Sequence, residues 1–104
     1  MDQFTEALLR AAAEAETLGC RMTRLRRAAE QHGGAETVRE YLRRNRYSDE
    51  FDRLASLGRL DLTPEALAVQ GRFGALFTDE EVNRCFERLC GAGYYFTGSG
   101  EAKK

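Results

Sequence analysis

Apolar residues recur along the chain at intervals of three and four, the spacing that places side chains on one face of an α-helix. In residues 2–18 these positions are Phe4, Ala7, Leu8, Ala11, Ala15 and Leu18. A second predicted helix, from Thr23 to His32, faces inward with Met22, Leu25, Ala29 and His32. A third, from Ala35 to Asn45, faces inward with Val38, Tyr41 and Leu42. Gly19 and Gly33-Gly34 separate these three helices.

Capping residues predict three more helices in the second half of the chain. Ser48, Thr63 and Thr78 stand where an N-cap hydroxyl accepts a hydrogen bond from an unpaired backbone N–H. Glu81 completes a capping box with Thr78, and Pro64 suits the first position of a helix. The predicted helices span about 49–57, 64–70 and 79–90. The residues expected to be buried in this half are Leu60, Leu62, Phe73, Phe77, Val82, Cys85, Phe86 and Leu89.

No stretch alternates apolar and polar residues between turn signals, so no β-sheet is expected. The sequence predicts an all-α fold, a compact single-domain bundle of about six short helices. Its 104 residues suit one domain. We assign the helical domain to 1–93 and a partly flexible C-terminal tail to 94–104. In that tail, Tyr94-Tyr95-Phe96 is expected to pack back onto the domain, whereas 97–100 has a flexible Gly/Ser composition.

Composition indicates the compartment. No apolar run approaches the roughly 20 residues that a membrane-spanning helix needs. The N-terminal residues lack the basic and then apolar pattern of a secretory signal. Three cysteines without framework spacing suit a reducing environment. We therefore expect a cytoplasmic protein that does not bind membranes.

The sequence contains little that supports enzyme chemistry. It has one histidine, no phosphate-binding glycine loop and no nucleophile elbow. The acidic clusters at 49–52 and 79–81 fall in first turns of predicted helices, where carboxylates interact favourably with the helix dipole. The metal-binding side chains Cys20, His32, Cys85 and Cys90 lack the paired spacing of a zinc site. We expect no catalytic residue, no metal and no cofactor, with His32 and Cys85 in structural roles.

Charge is distributed unevenly along the chain. The net charge is −1, yet residues 21–46 contain eight arginines and three glutamates, a balance of +5. Arginines on two neighbouring helices can follow phosphate groups or bind a protein partner. The candidate binding residues are Arg24, Arg27, Arg39, Arg43, Arg44, Arg46 and Tyr47. A simpler interpretation is a solvated face of ion pairs such as Glu40–Arg44 at i,i+4.

The stretch from Ala29 through Gly33 to Thr37-Val38 and Leu42 resembles a bacterial helix-turn-helix. Thr37, Val38 and Leu42 each come about one residue earlier than is usual in that family. The resemblance implies a DNA-binding regulator that uses residues 23–46.

A second resemblance covers about residues 48–95 and depends on GRLDLTPEAL and LFTDEEV. This stretch is similar to small uncharacterised all-helical proteins carried by phages and conjugative elements of gut Firmicutes. The resemblance implies a short, non-enzymatic protein of a mobile element that acts by binding, for example as an inhibitor of a host defence nuclease.

Together these observations predict a small non-enzymatic interaction module. Its concrete form would be a mobile-element-encoded inhibitor or adaptor that binds a host protein or a nucleoprotein complex. The alternative is a helix-turn-helix-like DNA-binding regulator. A protein or nucleoprotein partner is expected, and nucleic acid is a second candidate partner through the arginine-rich segment 21–46.

Overall fold

The architecture is set by where each helix can begin and end. The computed structural model describes residues 2–94. Within that range the chain forms six α-helices and two 3₁₀ helices, with no β-strand. The α-helices are α1 (Gln3–Thr17), α2 (Thr23–His32), α3 (Gly34–Arg43), α4 (Phe51–Ser56), α5 (Pro64–Ala68) and α6 (Asp79–Gly91). The 3₁₀ helices are Leu60–Leu62 and Gly71–Leu76. The predicted all-α, single-domain bundle is confirmed. Of the predicted tail, all but Tyr94 lies outside the described residues.

Two of the three predicted N-caps are confirmed. The Thr78 hydroxyl accepts from the Glu81 N–H at 3.1 Å, and the Glu81 carboxylate accepts from the Thr78 N–H at 2.9 Å. The Thr63 hydroxyl accepts from the Ala66 N–H at 3.1 Å, with Pro64 at the first helical position. Local capping chemistry therefore positions the starts of α5 and α6.

The predicted cap at Ser48 is wrong. Helix α4 begins at Phe51, two residues later than predicted, and its N-cap position is held by Glu50 with a left-handed φ of 64°. The Ser48 hydroxyl instead donates to a carboxylate oxygen of Glu65 at 2.7 Å. The Ser48 hydroxyl therefore bonds to a buried charged acceptor and does not cap a helix, because hydrogen bonds to ionised groups are the stronger ones.

The core forms around Phe4 of α1. Its ring packs edge-to-face with Phe73 and Phe77, at centroid distances of 5.0 and 5.2 Å. Leu60 and Leu62 are also buried. The two connections around the 3₁₀ helices thus contribute core side chains, as the sequence predicts. The other large buried apolar residues are Leu8, Met22, Leu25, Val38, Leu42, Phe51, Leu54, Leu67 and Leu89.

Three residues that were predicted to face inward are exposed. His32 is the last residue of α2 and lies at the surface. Leu18 is 36% exposed because α1 ends at Thr17 and the chain turns away there. Phe86 is 41% exposed, because α6 turns Cys85, Arg88 and Leu89 inward and the neighbouring position lies about 100° around the helix.

Helices α1 and α3 meet closely at Gly34. The Gly34 N–H donates to the buried Thr5 hydroxyl at 2.8 Å. A Cβ at position 34 would lie 2.8 Å from the Phe4 ring and 3.1 Å from the Thr5 Cα. Only glycine fits this contact without displacing the core phenylalanine.

Gly34→Ala should therefore destabilise the protein by about 1–3 kcal/mol, the usual effect of overpacking a core. Alanine ordinarily stabilises a helix by roughly 0.5–1 kcal/mol relative to glycine. A decrease in the free energy of unfolding would therefore show that the steric clash outweighs this helix propensity. The free energy of unfolding is measured by urea denaturation. Gly91→Ala is the matched control, because a Cβ there meets nothing within 4 Å. A Gly34→Ala protein as stable as this control would contradict the prediction.

Candidate binding surface on helices α2 and α3

Two rows of side chains at four-residue spacing face each other across α2 and α3. Residues four apart lie on the same side of a helix. The row on α2 is Arg24, Ala28 and His32, and the row on α3 is Glu36, Glu40 and Arg44. With Thr37, Tyr41 and Arg46 they line an open cleft of about 480 Å³. The structure therefore brings together three of the seven predicted binding residues, namely Arg24, Arg44 and Arg46.

The other six residues of this cleft were not predicted as binding residues: Ala28, His32, Glu36, Thr37, Glu40 and Tyr41. The matching four-residue spacing on the two helices was the available signal. It became informative only once the two helices were known to pack side by side. The helices are joined by a single residue, Gly33, with φ 87° and ψ 153°. A helix-turn-helix usually has a turn of three to four residues, so this connection departs from that motif.

The arginines at the end of α3 are held by carboxylates of the same helix. Glu40 contacts Arg43 and Arg44, each at 2.6 Å. Glu36 forms an ion pair with Arg43 and a longer one with Arg39, at 3.7 Å. The Arg43 guanidinium, through its hydrogen bond, lowers the pKa of Glu36 below its usual value, and Glu36 raises that of Arg43. The exposed side of α3 is thus largely a face of ion pairs.

Arg39 points toward α6. Its guanidinium lies 3.5 Å from the Glu81 carboxylate and 5.4 Å from the centroid of the Phe77 ring, and it donates to the Leu76 carbonyl. Glu81 is also the residue that completes the capping box of α6. Arg39 therefore links α3 to the start of α6, and its predicted binding role stays a prediction.

Arg24, Arg27 and Arg46 differ from the α3 arginines. Within residues 2–94, none of the three forms an ion pair with a carboxylate. All three are exposed. Arg24 and Arg46 line the cleft, whereas Arg27 lies on α2 outside it. Considering the described part of the chain alone, Arg24 and Arg46 of the cleft have no ion-pair partner and can bind an anionic group.

Tyr41 forms part of the cleft wall and is half-buried. Burial, assisted by the negative charge of Asp49, raises the pKa of Tyr41 to about 12. Its phenol therefore stays protonated at neutral pH. It offers the cleft an aromatic face and a neutral hydroxyl.

A second polar cluster lies inside the protein. Glu65 is 2% exposed and accepts hydrogen bonds from the Ser48 N–H at 3.1 Å and the Ser48 hydroxyl at 2.7 Å. The Arg88 guanidinium lies 3.5 Å from the same carboxylate and is 8% exposed. Arg88 also donates to the Arg46 carbonyl. The pair thus ties α5 and α6 to the 46–48 segment.

This buried pair also positions Tyr47, the seventh predicted binding residue. The Arg88 guanidinium carbon lies 4.7 Å from the centroid of the Tyr47 ring. The ring packs against Phe51 at 4.8 Å, yet Tyr47 remains 53% exposed. Sequence analysis missed Glu65 and Arg88. The available signal was Glu65 as the one charged residue between Leu62 and Val69.

The remaining reactive side chains do not assemble into a centre. Among residues 2–94, no three or more His, Cys, Asp or Glu side chains come together in a way that could hold a metal ion. Cys85 is fully buried, as predicted, and burial raises its pKa to about 12. In the same range, no helix has the length and apolar character needed to cross a membrane.

Comparison with protein-family models, curated proteins and solved structures finds no match to this chain. The geometry of its own side chains therefore carries the functional conclusion.

Replacing Arg88 with methionine should destabilise the protein by about 3–5 kcal/mol, because the Glu65 carboxylate would remain buried without a counter-charge. In a Glu65→Gln background the same replacement should cost less by at least about 1 kcal/mol, because a neutral amide needs no counter-charge. Urea denaturation of the two single variants and the double variant measures this coupling. Additive effects would show that the two side chains do not act as a pair.

Stability should fall in alkaline solution. The unfolded Cys85 thiol loses its proton near pH 9.0, whereas the folded thiol keeps it up to about 12. Between these values the native state binds more protons, so the free energy of unfolding decreases as pH rises, by at most about 1.4 kcal/mol per pH unit for this group. Cys85→Ala should reduce this slope just above pH 9. Urea denaturation across that range measures it, and an unchanged slope would contradict the assignment.

Proposed function

We propose that this protein is a small non-enzymatic interaction module that binds another macromolecule through the surface of α2 and α3. The single observation that carries the proposal is the pair of exposed arginines, Arg24 and Arg46, which share a cleft and have no carboxylate partner within residues 2–94. Exposed arginines that share a cleft with a tyrosine ring suit a binding surface, because binding hot spots are enriched in arginine and tyrosine.

The position of Tyr47 supports the same proposal. Its ring is held between Arg88 and Phe51 while about half of its surface faces solvent. An aromatic side chain fixed in this way loses little rotamer freedom when a partner covers it. Arg46 precedes it directly in the chain, so one short segment presents a free cation and a fixed ring together.

The buried polar groups support an interaction role over catalysis. Glu65 is buried, accepts two hydrogen bonds from Ser48 and forms an ion pair with Arg88. A general acid or base must reach a substrate, and this carboxylate is directed at internal partners. His32, the one histidine, lies at the surface in the α2–α3 cleft, where a binding role suits it.

The resemblance to mobile-element proteins supplies the concrete form of the proposal. An inhibitor or adaptor that binds a host protein or a nucleoprotein complex, such as a defence nuclease, needs a binding surface and no chemistry of its own. The α2–α3 surface meets that requirement.

Reversing the charge of the two free arginines should abolish partner binding. In an Arg24→Glu/Arg46→Glu variant the cleft would carry two added negative charges, and like charges across an interface disfavour binding. The tagged protein is incubated with extract of its native host, and captured proteins and nucleic acids are identified by mass spectrometry and sequencing. The control variant is Arg10→Glu/Arg72→Glu, which makes the same change at exposed positions of α1 and of the second 3₁₀ helix, away from this cleft and from Tyr47.

Partners retained by the control and lost by the cleft variant would support the proposal. Equal capture by both variants would remove it. A salt titration with duplex DNA tests the regulator alternative: affinity that falls steeply with ionic strength would favour it, and no binding at low salt would remove it.

A further inference from the structure

Volume does not distinguish the α2–α3 cleft from two other depressions formed by residues 2–94. A depression at Tyr47, Glu50, Asp52 and Arg53 measures about 500 Å³, and one between Ala68 and Asn83 measures about 490 Å³. All three fall within the roughly 300–1,000 Å³ range of ligand sites. They differ in charge. The second has more acidic than basic residues, and the third has Asp79 as its one charged residue, whereas the α2–α3 cleft has three arginines and two glutamates.

Only some of the charged side chains in the α2–α3 cleft form ion pairs with one another or with neighbouring residues. Glu40 is bound to Arg43 and Arg44, and Glu36 is bound to Arg43. Of the three arginines in the cleft, Arg44 is paired with Glu40, whereas Arg24 on α2 and Arg46 just after α3 form no ion pair within residues 2–94. An anionic group can bind at either of these two side chains.

Besides its charged groups, the cleft has small and apolar lining residues. Ala28 and Tyr41 are half-buried, and the Thr37 hydroxyl is engaged with the Gly33 carbonyl at 2.9 Å. This part of the cleft presents a methyl group and a neutral ring to a ligand. An apolar side chain would fit there, since burial against an aromatic face is favourable.

We propose that the α2–α3 cleft binds an acidic segment of a partner protein, with carboxylates on Arg24 and Arg46 and an apolar side chain over Tyr41. This inference rests on the proposed function and specifies the chemistry of the partner. Carboxylate and guanidinium groups form bidentate, charge-assisted hydrogen bonds, which are among the stronger polar contacts in proteins.

The carboxylates in the cleft favour a peptide over nucleic acid. Duplex DNA carries one negative charge per roughly 1.7 Å of its axis, so phosphates laid along the cleft would also approach Glu36 and Glu40. A peptide can space its carboxylates to reach Arg24 and Arg46, and its backbone N–H groups can donate to the two glutamates. Arg43 and Arg44 already pair with Glu40, so a phosphate at either side chain would compete with that carboxylate.

The test is selection from a random peptide library displayed on phage, against the full-length protein. Counter-selection uses the Arg24→Gln/Arg46→Gln variant, which removes both free cations at exposed positions. We expect enriched peptides to contain Asp or Glu together with at least one large apolar residue. Their affinity, measured by fluorescence anisotropy, should weaken about tenfold or more with either single Arg→Gln replacement, because each charged hydrogen bond contributes enough for that factor. Arg10→Gln, on α1, serves as the control and should leave affinity unchanged.

A labelled duplex of random sequence is titrated beside the selected peptide. Enrichment of neutral or basic peptides, no enrichment, or affinity insensitive to Arg24 and Arg46 would overturn the inference. Duplex DNA that binds more tightly than the peptide and is lost with the same replacements would also overturn it, while the α2–α3 surface itself would stand as an interaction site. The proposed function also fails if two results occur together: replacing the two arginines changes the affinity of neither peptide nor duplex, and the Arg24→Glu/Arg46→Glu variant still captures the host partners. Thermal unfolding midpoints equal to that of the unmodified protein confirm that the variants are folded.

Discussion

The enclosed carboxylate of Glu65 is the constraint on which much of this structure depends. An ionised group that is 2% exposed needs a counter-charge and hydrogen-bond donors. Arg88 supplies the charge, and both donors of Ser48 supply hydrogen bonds. These partners come from α6 and from the segment before α4, so one side chain on a helix of five residues fixes the relative positions of three parts of the chain. Such a short helix has little stability of its own.

That constraint extends to the outer surface. Arg88 holds the Arg46 carbonyl on one side and the face of Tyr47 on the other. The backbone of 46–48 is therefore fixed from within, and the direction in which Arg46 and Tyr47 leave the protein follows from it. A buried ion pair rarely adds much stability compared with a well-packed apolar pair, whereas it can specify one arrangement among several. Here the arrangement that it specifies is the segment that borders the α2–α3 cleft.

The sequence predicted features that local chemistry determines. Thr63 and Thr78 cap their helices because each meets its N–H partner three residues away, within its own helix. Contacts that depend on residues distant in the sequence were not predicted. Ser48 has the local surroundings of a cap, yet it binds Glu65, 17 residues further along the chain. Arg39 has the appearance of a surface cation, yet its partners lie on the connection to α6 and on α6 itself.

The sequence indicated the segment that forms the candidate surface, but not the pairing of its side chains. The enrichment of arginine in residues 21–46 located it, but composition could not show which cations are free. That depends on side-chain pairing. Arg43 and Arg44 pair with Glu40 one turn away, and Arg43 also pairs with Glu36 two turns away, whereas Arg24 and Arg46 form no ion pair within residues 2–94. The i,i+4 rule indicated the Glu40–Arg44 pair. The pairing of Arg39 with Glu81 needed the packing of α3 against α6.

The single-residue connection between α2 and α3 has a consequence for the thermodynamics of association. The two walls of the cleft have no flexible loop between them, because Gly33 is the one residue that joins α2 to α3. The start of α3 is also fixed, since Gly34 packs against Phe4 and donates a hydrogen bond to Thr5. The walls are therefore already ordered before any encounter, and the loss of conformational entropy on complex formation falls on the incoming chain. A flexible peptide should therefore bind with low affinity relative to its contact area. A peptide that is already rigid in the bound shape should dissociate far more slowly.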